Sequence, residues 1–173
     1  MIKVKVETIR YRLTGHERLI LLKELNRERQ LPIYIGAFEA DAIQIALKGY
    51  RHSRPLTHDL LTSIIAELGG QLQYVLVKEL KEDIFFAVLH IAVDGREIDI
   101  DARSSDSIAI AVRAKVPIYV AEEVMDRAGT WPAEDILEDR AQLSIFRDFV
   151  DTLDLDDLGQ AVDNKDADDL GEA

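Results

Sequence analysis

Three places along the chain carry side chains able to do acid–base or cation chemistry: Glu39 and Asp41, His58 and Asp59, and Asp101, Arg103 and Asp106. Each group stands where a helix is expected to begin. Carboxylates that arrive from separate elements suit a hard, oxygen-seeking cation such as Mg²⁺. A bound ion of that kind activates water for phosphodiester cleavage, and a neighbouring histidine can move the proton. Each residue also has a plainer role. An acid in a first helical turn stabilises the helix dipole with no further duty. His58 can be polar surface, and Arg103 can bridge to Asp101 or Asp106 as a structural pair.

Other chemistries are excluded by what the chain lacks. There is no phosphate-cradling glycine loop, no G-x-G-x-x-G, no H-E-x-x-H and no G-x-S-x-G elbow. With no cysteine, neither a disulfide framework nor a thiolate nucleophile exists.

The elements that must position these groups follow from periodicity. Residues 96–103 alternate, with Ile98, Ile100 and Ala102 opposite Glu97, Asp99, Asp101 and Arg103, as in a half-buried strand. Ser104 and Ser105 offer capping hydroxyls, Asp106 adds a first-turn charge, and Ile108–Val112 is apolar all round. That run also reads as a strand, but its start and the basic end at Arg113–Lys115 favour a buried helix. Pro117 then breaks it before a short strand, Ile118–Val120.

Asp94-Gly95 is the clearest local signal, a two-residue hairpin turn between alternating runs. Pairing Val93 with Arg96 sets Ile91 opposite Ile98, Leu89 opposite Ile100 and Ala87 opposite Ala102 on one apolar face. The other face then pairs His90 with Asp99, Val88 with Asp101 and Phe86 with Arg103.

Upstream, Met1–Leu13, Leu19–Leu25 and Gln30–Gly36 read as strands, the last with Pro32 suited to an edge. Ala37–Gly49 has helical period, with Ala42, Ile43, Ile45, Ala46 and Leu47 as one apolar stripe. Thr57 is placed to cap a helix over His58–Leu68, which Gly69-Gly70 closes. Leu72–Leu80 and Ile84–Val93 are further strands, and Glu122–Ala128 is a short helix.

The net charge of −12 is uneven. Residues 134–173 hold 14 acids and 3 bases, whereas residues 1–133 hold 19 acids and 18 bases. The globular part is therefore near neutral, without the long basic stripe that strong nucleic-acid binding uses. The longest apolar run, Ile84–Val93, is too short to span a bilayer. Lys3 and Lys5 without an apolar segment argue against a signal peptide, so a cytoplasmic home is expected. The fold class expected is α+β: a mixed, mostly antiparallel sheet with about three packed helices in one domain over residues 1–130. Residues 131–153 form a short helical extension, and 154–173 an acidic, disordered tail.

Four stretches in order, L-P-I-Y-I-G-A-F-E-A-D-A-I (31–43), R-P-L-T-H-D-L-L (54–61), I-D-A-R-S-S-D-S-I-A-I-A-V (100–112) and P-I-Y-V-A-E-E-V (117–124), closely resemble the bifunctional nuclease domain family. The likeness runs over about residues 1–127. It implies an α+β domain, a tendency to dimerise and nuclease activity on DNA and RNA. It carries the family's polar positions onto Glu39, Arg54, Thr57, His58, Asp59, Asp101, Arg103 and Asp106. One departure is Ser104, where the family commonly has proline. The acidic tail lies outside the likeness.

The leading expectation is a metal-assisted nuclease or phosphodiesterase acting on nucleic acid or small phosphodiesters. Asp59, Asp101 and Asp106 would hold Mg²⁺ or Mn²⁺, and His58 or Glu39 would act on the water. Arg103 or Arg54 would meet the phosphate, with Arg54 and Thr57 binding substrate. The competing expectation is a non-catalytic homodimer or higher oligomer that binds a partner protein or small ligand. If Glu39, His58, Asp59, Asp101 and Asp106 line one cleft, the enzyme gains; if they scatter, or are tied up in salt bridges, the module gains.

Overall fold

The computed structural model describes residues 1–11, 18–50 and 52–132. They form seven strands and four helices: β1 (Ile2–Tyr11), β2 (Arg18–Glu24), β3 (Gln30–Ile35), α1 (Ala37–Leu47), α2 (Thr57–Glu67), β4 (Gly70–Lys81), β5 (Ile84–Val93), β6 (Arg96–Arg103), α3 (Ser104–Ala114), β7 (Ile118–Val120) and α4 (Glu122–Ala128). The expected extension over 131–153 and tail over 154–173 lie, beyond Pro132, outside the described residues.

Two antiparallel meanders make one mixed sheet in the order β3-β2-β1-β7-β4-β5-β6. The short strand β7 joins them, antiparallel to β1 and parallel to β4. Pro32 sits in β3, an edge strand, where a missing N–H costs no ladder bond. The hairpin register is as derived: Val93 pairs with Arg96, Ile91 with Ile98, Leu89 with Ile100 and Ala87 with Ala102. Asp94 and Gly95 both take positive φ, 49° and 74°, which a two-residue turn matched to strand twist requires.

The core lies between the sheet and α3. Ile20, Leu22, Leu31, Ile33, Val75, Val77 and Ala87 meet Ile108, Ala109, Ile110 and Ala111 without solvent contact or nearly so. Each fully buried isoleucine or leucine contributes about 1.5–3 kcal/mol relative to exposure. The I-A-I-A-V run is thus a buried helix, with α1 and α2 packed against it.

Two local expectations need correcting. Thr57 is the first residue of α2 and not its cap, which is Leu56; the turn is closed instead by Asp59, whose Oδ2 accepts the Leu56 N–H at 2.9 Å. Likewise Ser104 and Ser105 lie inside α3, Arg103 is the N-cap residue, and no side-chain cap bond forms. Both serines are buried, so packing and not capping places them.

Candidate functional site

The first turns of α1, α2 and α3 meet. Arg103, at the junction of β6 and α3, donates from Nη2 to Glu39 Oε1 of α1 at 2.8 Å. From the same guanidinium, Nε reaches Asp106 Oδ2 at 2.7 Å and Nη2 reaches Asp106 Oδ1 at 3.3 Å. His58 of α2 completes the chain, its Nε2 lying 3.1 Å from Asp106 Oδ1. Four of the residues singled out in the sequence, Glu39, His58, Arg103 and Asp106, are therefore one bonded network drawn from α1, α2, the end of β6 and α3.

The network borders an open cleft of about 710 Å³, a size typical of ligand sites. Phe38, Asp41, Ala42 and Ile45 line it from α1, while Pro55, Leu56, Thr57 and Leu61 line it from the α2 side. Phe38, Asp41, Ala42 and Ile45 recur at i, i+3, i+4 and i+7, so they share one face of α1. Ala40 and Ile43 point the other way, into the core. The apolar stripe read as a single surface is thus two surfaces, one facing the core and one facing the cleft.

Electrostatics follow from the partners. Burial is the largest single influence on Asp106 and pushes its carboxyl up, but the bonds from Arg103 and His58 together outweigh it. The carboxyl is held below its ordinary range. The hydrogen bond to Asp106, then the charge of Asp106 and the hydrogen bond to Glu39, raise Arg103 further. His58 is nearly buried, 10% of its side chain remaining exposed. With its proton on Nε2 it donates to Asp106, leaving Nδ1 as the nitrogen with a lone pair. Arg103 keeps 68% of its side chain in solvent, and its Nη1 bonds no described residue.

The remaining expected site residues lie elsewhere. Asp59 turns away from the cleft, where its Oδ1 accepts from Arg113 Nε at 2.7 Å. Asp101 faces out from β6, 3.5 Å from Lys78 Nζ. Arg54 is exposed in the loop before α2 and does not line the cleft, whereas Thr57 does. The cation set of Asp59, Asp101 and Asp106 is therefore dispersed, each acid neutralised by its own basic partner. Among the described residues no three His, Asp or Glu side chains are grouped to hold a metal ion. Between Glu39 and Asp106 a guanidinium takes the position a cation would need, so the donor set as arranged does not fit Mg²⁺ or Mn²⁺.

Two residues of consequence were not singled out in the sequence. Arg113 is one, a positioning residue: besides Asp59, it donates from Nη1 to the Ala109 carbonyl and from Nη2 to that of Ala42, both at 3.0 Å, tying three helices together. Its only sequence signal, a basic residue in a last helical turn, has an ordinary dipole explanation. Phe38 is the other, an aromatic off the core stripe of its helix, and that offset is the signal that could have found it.

No helix among the described residues is long and apolar enough to cross a membrane. Comparison with known proteins places these features in context. Residues 20–132 match the family model described as the bifunctional nuclease domain. An uncharacterized protein of Mycobacterium tuberculosis is 39% identical over 161 residues, which is 90% of this chain and 96% of that protein. Bifunctional nuclease 1 of Oryza sativa subsp. indica is 29% identical over 112 residues, 63% of this chain and 34% of the rice protein. Bifunctional nuclease 2 of Arabidopsis thaliana is 29% identical over 108 residues, covering 61% of this chain and 33% of its own length. The chain belongs to the bifunctional nuclease domain family.

Proposed function

We propose that this protein is a nuclease, cleaving phosphodiester bonds at the cleft between α1, α2 and α3. The single observation that carries this reading is the bonded chain Glu39–Arg103–Asp106–His58, assembled from four elements at the wall of one cleft. In it His58 transfers the proton, and Asp106 fixes the imidazole tautomer and balances the charge that forms on it. Arg103, aligned by two carboxylates, offers its exposed edge to a phosphate oxygen. Three helix N-termini converge there and favour an anion, although Glu39 and Asp106 offset part of that field. The relatives named as bifunctional nucleases support the substrate class.

The test is cleavage of single-stranded RNA and DNA by wild type, His58→Ala and Asp106→Asn. Loss of roughly 10²-fold or more on RNA is expected in both variants, the usual worth of positioned acid–base catalysis. Equal residual cleavage in all three proteins would trace it to a contaminant and end the reading.

A homodimer is proposed on a separate observation. Ile98 and Ile100, 43% and 46% exposed, stand on β6, whose outer edge has no partner among the described strands. Such an edge invites pairing with a second copy. Ile98→Lys should convert a dimer to monomer in sedimentation, and an unchanged sedimentation coefficient rejects this contact.

A further inference from the structure

We infer that Phe38 is a stacking platform for an unpaired nucleobase and sets a preference for single-stranded substrate; this rests on the nuclease reading above. Phe38 is 88% exposed although it follows directly on a helix start with a core face close by. Its neighbour in sequence, Glu39, holds Arg103, so the ring and the phosphate-facing guanidinium flank the same cleft. Ala42, Ile45 and Leu61 extend the apolar wall behind it.

Charge supplies the second, independent observation. Residues 1–133 carry 19 acids and 18 bases, so release of counterions from a polynucleotide can contribute little to affinity. Arg103 itself is already shared between two carboxylates. Uncharged contact then gains weight, and base–aromatic stacking is the contact that every nucleobase can make. Bases inside a duplex present no face to such a ring. An unpaired base does.

The test uses the full chain and a fluorescent single-stranded oligouridylate alongside a duplex of equal length, with binding and cleavage both measured. Wild type should bind the single strand at least tenfold tighter than the duplex. Phe38→Ala should lose about tenfold on the single strand, seen in binding and in KM more than in kcat, with no change on duplex. Phe38→Trp should restore binding, and raising the salt should weaken it only slightly. Unchanged binding by Phe38→Ala, or an equal loss on both substrates, overturns the inference. If the loss appears only because Phe38→Ala alters the sedimentation coefficient, Phe38 is a contact between copies and the inference also falls. Cleavage abolished by His58→Ala while Phe38→Ala behaves as wild type leaves the nuclease reading standing without the platform. Absence of both binding and cleavage in wild type removes the two together.

Discussion

Arg113 and Asp59 lie 54 positions apart and form an ion pair at 2.7 Å in which the guanidinium is almost wholly enclosed, with 7% of its side chain exposed. Through its bonds to Asp59 of α2 and to the Ala42 carbonyl of α1, the same arginine holds α1 and α2 against α3. The clasp lies behind the candidate site. Its geometry sets where Glu39 and His58 stand relative to Arg103 and Asp106.

Arg113→Met should therefore lower stability by about 3 kcal/mol, the low end for one partner of a buried pair, because Asp59 keeps 40% of its side chain in water. In a thermal melt that is a fall of roughly 10 °C. Arg113→Lys keeps the charge but cannot span three acceptors, so a folded protein with a reduced kcat and an unchanged KM is expected. Wild-type melting in Arg113→Met would remove the clasp from the account.

Gly36 gives a way to disturb the site without disturbing the core. A Cβ built there meets the Glu39 carboxylate. The backbone, at φ −67° and ψ 158°, is one that alanine adopts without strain. Gly36→Ala should thus melt at or slightly above the wild-type temperature, since it restricts the unfolded chain. It should nevertheless push Glu39 off Arg103 and cut cleavage by about the same factor as Glu39→Gln. Full activity in Gly36→Ala with intact folding would show that the Glu39 bond does not align the arginine.

Acid should weaken the fold through two carboxylates. Burial pushes Asp59 up, but the Leu56 N–H and Arg113 outweigh it, and Asp106 is lowered in the same manner. Both native carboxyls thus sit below the ordinary value of 3.8, so the unfolded chain takes up protons first as pH falls. Their contribution is fully present well above pH 3.8 and is lost as pH drops through the native values. Urea melts at pH 7, 5 and 3 should show little change over the first interval and a marked loss over the second. In Asp106→Asn the loss over the second interval should be smaller. An identical fall in the variant would assign the acid sensitivity elsewhere.

How much of this could be read from the chain alone depended on the range of the interaction. The β5–β6 register was legible because a two-residue turn leaves one alignment of the apolar faces, and His90 does meet Asp99, at 2.6 Å. The burial of Ile108–Ala111 was legible for the same reason, a local pattern with a single sensible environment, while Val112 at the end of the run is only half-buried. The site was legible only in part. Glu39, His58, Arg103 and Asp106 converge, but nothing near Asp59 announces that Arg113 claims it, nor does anything near Asp101 point to Lys78. Partners dozens of positions away decide whether a first-turn acid faces a cleft or closes a clasp. The two apolar faces of α1 were merged for a related cause: on a helix apolar most of the way round, periodicity does not say which side is covered.

The dispersal of the aspartates bears on which nucleophile the site can use. If His58 acts with no cation to activate water, the easiest nucleophile is one the substrate carries, the ribose 2′-hydroxyl. In that reaction the 2′-oxygen forms the new bond to phosphorus and its proton passes to His58. The bond from phosphorus to the 5′-oxygen breaks, and that oxygen takes up a proton from water in the open cleft, leaving a 2′,3′-cyclic phosphate. Arg103 would meet the charge that grows on the phosphoryl oxygens. Cleavage of RNA is then expected to persist in EDTA and to yield the cyclic product, while 2′-O-methyl RNA is cut at least ~10²-fold more slowly. DNA, which lacks the hydroxyl, should behave like the methylated strand. Equal cleavage of all three substrates, abolished by EDTA and restored by Mn²⁺, would return the cation to the mechanism. It would require Arg103 to swing out from between Glu39 and Asp106, and Arg103→Ala would then bind Mn²⁺ more tightly than wild type.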